Sequence, residues 1–410
     1  MLTAIVGINW GDEGKGRMVD LLSERYDVVV RYQGGNNAGH TVVNDKGKFI
    51  LNLLPSGILR DGTVNVLGPG MVVDLEHLCQ EAERLRRGGI AITPETLRIS
   101  DRATICLPYH KLLDCLEEDR LAGKKFGSTR RGIAPVYADK YMKKTLRMGD
   151  LRDLDQLEGR VADLAEWKNL TVERGYGHEA VRPEEILAWL REFGTPWLDY
   201  ISDTSLYLND AAGSGKSILF EAQLGVLRDI DFGIFPYTSS SSTIAAYAPI
   251  GAGIPAWKLD GTTGIMKAYS SCVGEGPFTC EFFGEEADRL REAGGEYGAA
   301  TGRPRRVGGF DMVASRYGVA MQGATEIALT KMDVLGYLEK IPVCTAYEID
   351  GQRVTDFPSG LRLERAKPVY ETLPGFGDIS KCRKKTELPK AALDYIACLE
   401  EAVRCPIKYV

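Results

Sequence analysis

Apolar residues fall into short dense runs along this chain, separated by stretches in which they recur every three or four positions. Leu2-Thr3-Ala4-Ile5-Val6, Asp27-Val28-Val29-Val30-Arg31-Tyr32, Thr63-Val64-Asn65-Val66-Leu67, Ser217-Ile218-Leu219-Phe220 and Glu326-Ile327-Ala328-Leu329-Thr330 are runs of the first kind. Each reads as a strand covered on both faces, as in a parallel sheet. Between residues 75 and 87, Leu75, Leu78, Cys79, Ala82 and Leu85 mark one face of a helix. Met18-Val19-Asp20-Leu21-Leu22 also has helical spacing. Strands alternating with helices predict an α/β fold around a large, mostly parallel sheet. Residues from about 101 to 200 change character, with charged helix-patterned runs such as Leu112-Leu113-Asp114-Cys115-Leu116-Glu117-Glu118. They predict a mainly helical insertion. No internal repeat or low-complexity segment stands out.

Composition narrows the function. The 46 glycines collect in turns such as Gly34-Gly35, Gly68-Pro69-Gly70 and Gly308-Gly309, not in a linker. A net charge of −6 disfavours nucleic acid as a partner. Nine cysteines, odd in number and without a Cys-x-x-Cys, predict reduced thiols in a cytoplasmic protein. No basic-then-apolar leader and no long apolar run is present, so neither export nor membrane spanning is expected.

The densest chemistry is Gly7-Ile8-Asn9-Trp10-Gly11-Asp12-Glu13-Gly14-Lys15-Gly16-Arg17, between the first strand and the first helix. Strand, glycine-rich turn and helix form a P-loop-like phosphate cradle, because glycines let backbone N–H groups approach an anion at a helix N-terminus. The glycine spacing departs from Walker A, and Asp12 places an acid inside the turn. An acid among phosphate ligands suits a cation or a proton; a tight turn with a solvated acid is the bland alternative. A second cluster, Gln33-Gly34-Gly35-Asn36-Asn37-Ala38-Gly39-His40-Thr41, follows a strand and belongs at the same sheet edge. His40 there can stabilise a phosphoryl oxygen or donate a proton. Thr330-Lys331-Met332-Asp333 resembles the guanine-reading Asn-Lys-x-Asp, since a carboxylate accepts from both guanine N–H groups; a solvated ion pair fits that tripeptide equally. Thr301-Gly302-Arg303-Pro304-Arg305-Arg306 concentrates guanidiniums suited to carboxylate or phosphate. Gly127-Ser128-Thr129-Arg130-Arg131-Gly132 offers hydroxyls and cations for another phosphate. Gly213-Ser214-Gly215-Lys216-Ser217 imitates a Walker A ending but leads into a strand, the wrong context.

Taken in order with Lys267-Ala268-Tyr269-Ser270, these motifs resemble adenylosuccinate synthetase along the whole chain. The resemblance implies a single domain over residues 1–410. It implies a ligase that joins L-aspartate to inosine monophosphate (IMP) with GTP and Mg2+, forming adenylosuccinate, GDP and phosphate in purine biosynthesis. It implies a homodimer whose site is shared across the interface. It makes Asp12 the general base and, with the Gly39 carbonyl, a metal ligand; His40 assists phosphoryl transfer. Gly11, Gly14, Lys15, Gly16, Thr41, Arg305, Lys331 and Asp333 correspond to GTP-binding positions. Asp12, Lys15, Asn37, His40, Thr129, Lys143, Gln223, Ser239 and Arg303 correspond to IMP-binding positions, and Thr301, Arg303 and Arg305 to the aspartate loop. Arg130 replaces a common glycine, Lys143 an arginine and Ser239 a threonine. Phe220-Glu221-Ala222-Gln223-Leu224-Gly225 stands where the family reads Phe-Glu-Gly-Ala-Gln-Gly. The alternatives are a same-fold ligase acting on another purine nucleotide and a GTP-binding switch, which has no use for Asp12, His40 and the arginine loop together.

Overall fold

A computed structural model describes residues 1–298 and 302–410. Nine strands form one parallel sheet: β1 (Leu2–Gly7), β2 (Val28–Arg31), β3 (Val64–Leu67), β4 (Leu97–Ser100), β5 (Ile201–Ser202), β6 (Ile218–Gly225), β7 (Gly261–Lys267), β8 (Glu326–Thr330) and β9 (Ile407–Tyr409). Their spatial order is β9-β8-β7-β1-β6-β2-β3-β4-β5. Every pairing in it is parallel. The apolar runs are the reason: Ala4, Ile5, Val6, Val28, Val29 and Val30 are all wholly buried, as strands covered on both faces must be.

Helix α1 (Lys15–Ser23) follows the first loop. Helix α2 (Leu75–Arg87) starts at Asp74, whose side chain accepts from His77 N, an N-cap that fixes the helix start. Its face of Leu75, Leu78, Ala82 and Leu85 is buried, with Cys79 at the margin. Between β4 and β5 come α3 (Pro108–Leu121), α4 (Ile133–Met142), α5 (Glu158–Val172) and α6 (Pro183–Gly194). Leu113, Val161, Leu164, Ile186 and Leu190 join α3, α5 and α6 to the α2 face in one core, while Ile133, Val136 and Tyr137 of α4 pack on Val72 and Cys106. No helix of the described residues is long and apolar enough to cross a membrane.

The structure extends two expectations. The run at Phe220 continues as strand through Gly225, so Glu221 and Gln223 are strand residues. Two sheet strands, β5 and β9, are too short to show a sequence signal. The Walker-like Gly213–Ser217 segment enters β6 at its N-terminal end, where Ser217 bonds Asp27 and Arg25. That edge is opposite the one from which the loops after β1 and β2 emerge.

Because the strands are parallel, the loops leaving β1, β2, β6, β7 and β8 emerge at one edge, where open α/β sheets bind their ligands.

Candidate active site

The first loop, residues 7–14, is folded around an acid rather than around its lysine. Glu13 is buried and accepts from Asn9 N at 3.1 Å and Gly11 N at 2.8 Å. Its other oxygen accepts from Lys15 Nζ at 2.6 Å, so Lys15 is turned inward and buried. Gly14 stands before α1 with φ 101°, a left-handed conformation that suits glycine, and no side chain caps the helix. The first-turn N–H groups of α1 are therefore left for an anion. Asp12 also has positive φ (59°), an uncommon state for a residue with a side chain; it holds the carboxylate at the rim with 35% of the side chain exposed. Thr330 Oγ1 donates to Glu13 O at 2.6 Å and locks the loop after β8 against it.

The second loop brings His40 against α1. A Cβ on Gly16 would lie 2.7 Å from His40 Cβ, so only glycine permits this approach. His40 Nδ1 lies 2.5 Å from Glu221 Oε1. A carboxylate only accepts, so Nδ1 carries the proton, and Nε2 is buried without a hydrogen-bond partner. Ser56 donates to both Glu221 oxygens, from N and Oγ, each at 2.7 Å. Arg31 Nη1 is 3.9 Å away. Burial would raise the Glu221 carboxyl; the His40 hydrogen bond and the His40 and Arg31 charges bring it below its ordinary value. Burial lowers the His40 imidazole, and Glu221 opposes that fall.

The loop after β7 and the arginine loop meet at Glu296, which is fully buried. It accepts from Lys267 Nζ at 2.8 Å and Arg305 Nη1 at 2.7 Å. Burial would raise the carboxyl, but Lys267, Tyr269 and Arg305 hold it down at about 2. Arg305 Nε is 3.4 Å from Asp12 Oδ2. Lys331 Nζ donates to Gly294 O, and Asp333 beside it is exposed. Asp12, Arg305 and Lys331 are thus linked through Glu296, and His40 packs on the helix that follows the Asp12 loop, all at one sheet edge.

The comparisons bear on the whole chain. Residues 4–410 match the family described as adenylosuccinate synthetase. A Lactococcus lactis adenylosuccinate synthetase is 44% identical over 402 residues, covering 97% of this chain and 93% of that one. This chain belongs to the adenylosuccinate synthetase family. The family's Thermosynechococcus vestitus member is 45% identical over 408 residues, covering 99% of this chain and 91% of its own. The structure of the fully ligated adenylosuccinate synthetase from Plasmodium falciparum superposes with a TM-score of 0.92 at 34% identity, covering 99% of this chain and 96% of that one. A cyanophage S-2L succinoaminodeoxyadenylate synthetase bound to dGMP and dATP shares the fold, with a TM-score of 0.58 at 22% identity over 80% of this chain and 83% of that one.

Placed on this adenylosuccinate synthetase fold, the remaining predicted residues divide. Asn37 accepts from Gly35 N at 3.3 Å and lines the second loop, followed by Gly39, half-buried. Thr41 is exposed on the strand His40–Asn44. Ser239 N donates to Arg228 O at 2.8 Å, and its Oγ is buried without a hydrogen-bond partner, as is Arg305 Nε. Orphaned polar atoms of this kind in a native fold call for an explanation, and a bound ligand is one. Thr129 lies in the exposed segment before α4, whose Ile133 and Tyr137 pack on Gly35 and Gly34. Arg303 stands 3.7 Å from Glu275. Lys143 is exposed just beyond the C-terminal end of α4. Thr301 falls outside the described residues. Gln223 is wholly buried against the second loop: its Nε2 donates to Gly35 O at 2.7 Å, and its Oε1 has no hydrogen-bond partner. Leu224, with φ 60°, faces Gly11 in its stead. Sequence reasoning missed Glu13, Glu221 and Glu296. The available signal was an acid inside an apolar strand run for Glu221; Glu13 and Glu296 carried none beyond their neighbours.

Proposed function

We propose that this protein is a GTP- and Mg2+-dependent ligase that joins L-aspartate to IMP, releasing adenylosuccinate, GDP and phosphate, with residues 1–410 acting as one unit in the cytoplasm. The observation that carries this reading is the convergence of Asp12, His40, Arg305 and the Lys331-Met332-Asp333 loop at one sheet edge. A switch protein would need the phosphate and guanine loops alone.

The chemistry follows from the leaving group. The purine 6-oxygen is a poor leaving group, and phosphorylation makes it a good one. Asp12, held at the rim by its left-handed turn, takes the N1 proton of IMP, and the 6-oxygen attacks the γ-phosphorus of GTP. His40 Nε2, aimed by Glu221, faces the transferring group. The aspartate amine then attacks C6, the C–N bond forms, and phosphate departs with the C–O bond electrons. Arg303 and Arg305 supply bidentate partners for the aspartate carboxylates. Asp333 accepts from guanine, and its loop is fastened through Lys331. Mg2+ suits such a site: it is held by one or two carboxylates with substrate phosphates and water, and Asp12 offers a partly exposed hard-oxygen carboxylate, with the Gly39 carbonyl as the second ligand that the family resemblance implies. It would neutralise the charge developing on the phosphates. Among the described residues no cluster of three ligating side chains competes for it.

Lys143 belongs to the partner's site in a homodimer. Tyr141 and Met142 just before it are large apolar side chains left 75% and 56% exposed, which a second copy would cover. The second reading, a ligase for another purine nucleotide, is favoured by Leu224, an isobutyl group on the wall where the family has an amide. One experiment decides: GTP, Mg2+, aspartate and IMP are incubated with the protein, each omitted in turn, and GMP is tested in place of IMP. A succinylated product that needs all four and IMP supports the proposal; product with GMP alone transfers it to the second reading.

A further inference from the structure

Glu296 sits at the neck of the arginine loop, just after the helix Gly284–Gly294 and its left-handed Gly295. Its backbone closes the neck: Glu296 N donates to Arg291 O and Arg305 N to Glu296 O, each at 2.9 Å. Its side chain divides two oxygens among three donors. Oε1 accepts from Lys267 Nζ at 2.8 Å and Tyr269 OH at 2.5 Å, and Oε2 from Arg305 Nη1 at 2.7 Å. Lys267 has a second fastening, donating to Ser271 Oγ at 2.5 Å. Two residues before Glu296, Gly294 O accepts from Lys331 Nζ.

One buried acid here faces three cations, Lys267 and Arg305 at hydrogen-bonding distance and Lys331 Nζ at 3.9 Å, so Glu296 alone does not balance the cluster. The second acid is Asp12, 3.4 Å from Arg305 Nε. A guanidinium is a rigid planar fork. Fixed at Nη1 by Glu296, it turns its Nε edge toward Asp12, and that Nε has no hydrogen-bond partner. The same short segment holds the guanine loop through Gly294. We propose that Glu296 is a positioning residue for the ligation. It orients Arg305 for the aspartate carboxylate beside the general base, and it ties that orientation to the loop that reads the nucleotide base. The inference rests on the function proposed above.

The test is Glu296→Gln, which keeps size and shape. Its amide must point N–H groups at Arg305 or at Lys267, a donor against a donor. The aspartate KM should rise at least about tenfold, the loss expected for one charge-assisted hydrogen bond, while the IMP KM stays within about twofold. A purely structural role would lower the melting temperature and leave the ratio of the two KM values unchanged. The double variant Glu296→Gln/Lys267→Met removes the unpaired buried cation as well. It should recover the melting temperature and keep the raised aspartate KM. A native aspartate KM in either variant overturns the inference. If the wild-type protein forms no succinylated product, the proposed function falls. The anchor is then read from the melting-temperature shift that aspartate produces in the wild type, and an equal shift in Glu296→Gln overturns it.

Discussion

Gly16→Ala is the smallest change that probes the packing of the second loop on α1. The added Cβ would sit 2.7 Å from His40 Cβ and 3.2 Å from its Cγ. Non-bonded carbons rest at about 3.5–4.0 Å, so His40 must retreat by roughly 1 Å. Glu221 Oε1 now accepts from Nδ1 at 2.5 Å, and a retreat of that size brings the bond to the limit of hydrogen-bonding distance. Misplacing a reacting group by 1 Å costs about 10²-fold, so kcat should fall by about two orders of magnitude, or roughly 3 kcal/mol of barrier. Stability should change less. Alanine gains about 1 kcal/mol over glycine inside a helix, against about 1–3 kcal/mol for overpacking. The assay is steady-state turnover at saturating GTP, Mg2+, aspartate and IMP, alongside a circular-dichroism melt. The aspartate KM should hold, because Arg305 is fixed by Glu296 and not by His40. A folded variant retaining kcat within about threefold would refute the reading, since the placement of His40 would then not limit the chemistry.

Asp12→Asn should abolish turnover with the fold intact, since general-base catalysis alone is worth about 10²–10⁴-fold; more than about a tenth of normal kcat would remove Asp12 from the role. Asp333→Asn leaves an amide that cannot accept both guanine protons, so kcat/KM should fall for GTP and rise for XTP, and an unchanged ratio would make the loop an ordinary surface pair. Lys143→Ala should raise the IMP KM without touching aspartate, and mixing it with Asp12→Asn should restore activity through hybrid dimers; no recovery after confirmed subunit exchange would sink the shared site. Asp311, buried and bonded by Tyr347 OH at 2.6 Å and Ala314 N at 2.9 Å, is pushed up to about 6 by burial. The native state therefore holds its proton more tightly than the unfolded chain, and stability from this group declines as pH rises from about 4 to about 6, by on the order of 3 kcal/mol. Asp311→Asn should flatten that slope in denaturant melts, and a slope unchanged from the wild type would show that Asp311 does not titrate there.

What the sequence disclosed follows from what kind of signal each residue leaves. Val28-Val29-Val30 and Ala4-Ile5-Val6 announce buried parallel strands because burial on both faces leaves no polar alternation. Helix α2 shows its face and its Asp74 cap within the same short stretch. The loops were legible because glycines and chemistry-bearing side chains collect there. Distant partnerships were not. Glu221 is bonded to His40 and Ser56, which lie far apart from it in the chain, and only the fold brings them together. Gln223 sits one position before the place the family motif gives a glutamine, and the strand's alternation sends it under Gly35 while Leu224 takes the wall. The spacing of Lys15 points to phosphate, and its pairing with Glu13, which depends on the curl of the loop, leaves no trace in the sequence.

The position of β1 within the sheet constrains how the protein is made. Its neighbours are β6 and β7, so the first strand synthesised has no partner until residues 218–225 and 261–267 leave the ribosome. At about 5–20 residues per second that interval is roughly ten to fifty seconds. Throughout it the apolar Leu2–Val6 run and the phosphate loop behind it are unsupported, while β2, β3 and β4 can already pair with one another. The sheet around β1 therefore closes late, with only β8 and β9 still to follow, and a long-range parallel closure of this kind is slow. A cell making this protein must shield its N-terminal strand during that delay, and a chain interrupted before residue 267 has built much of a sheet but no site.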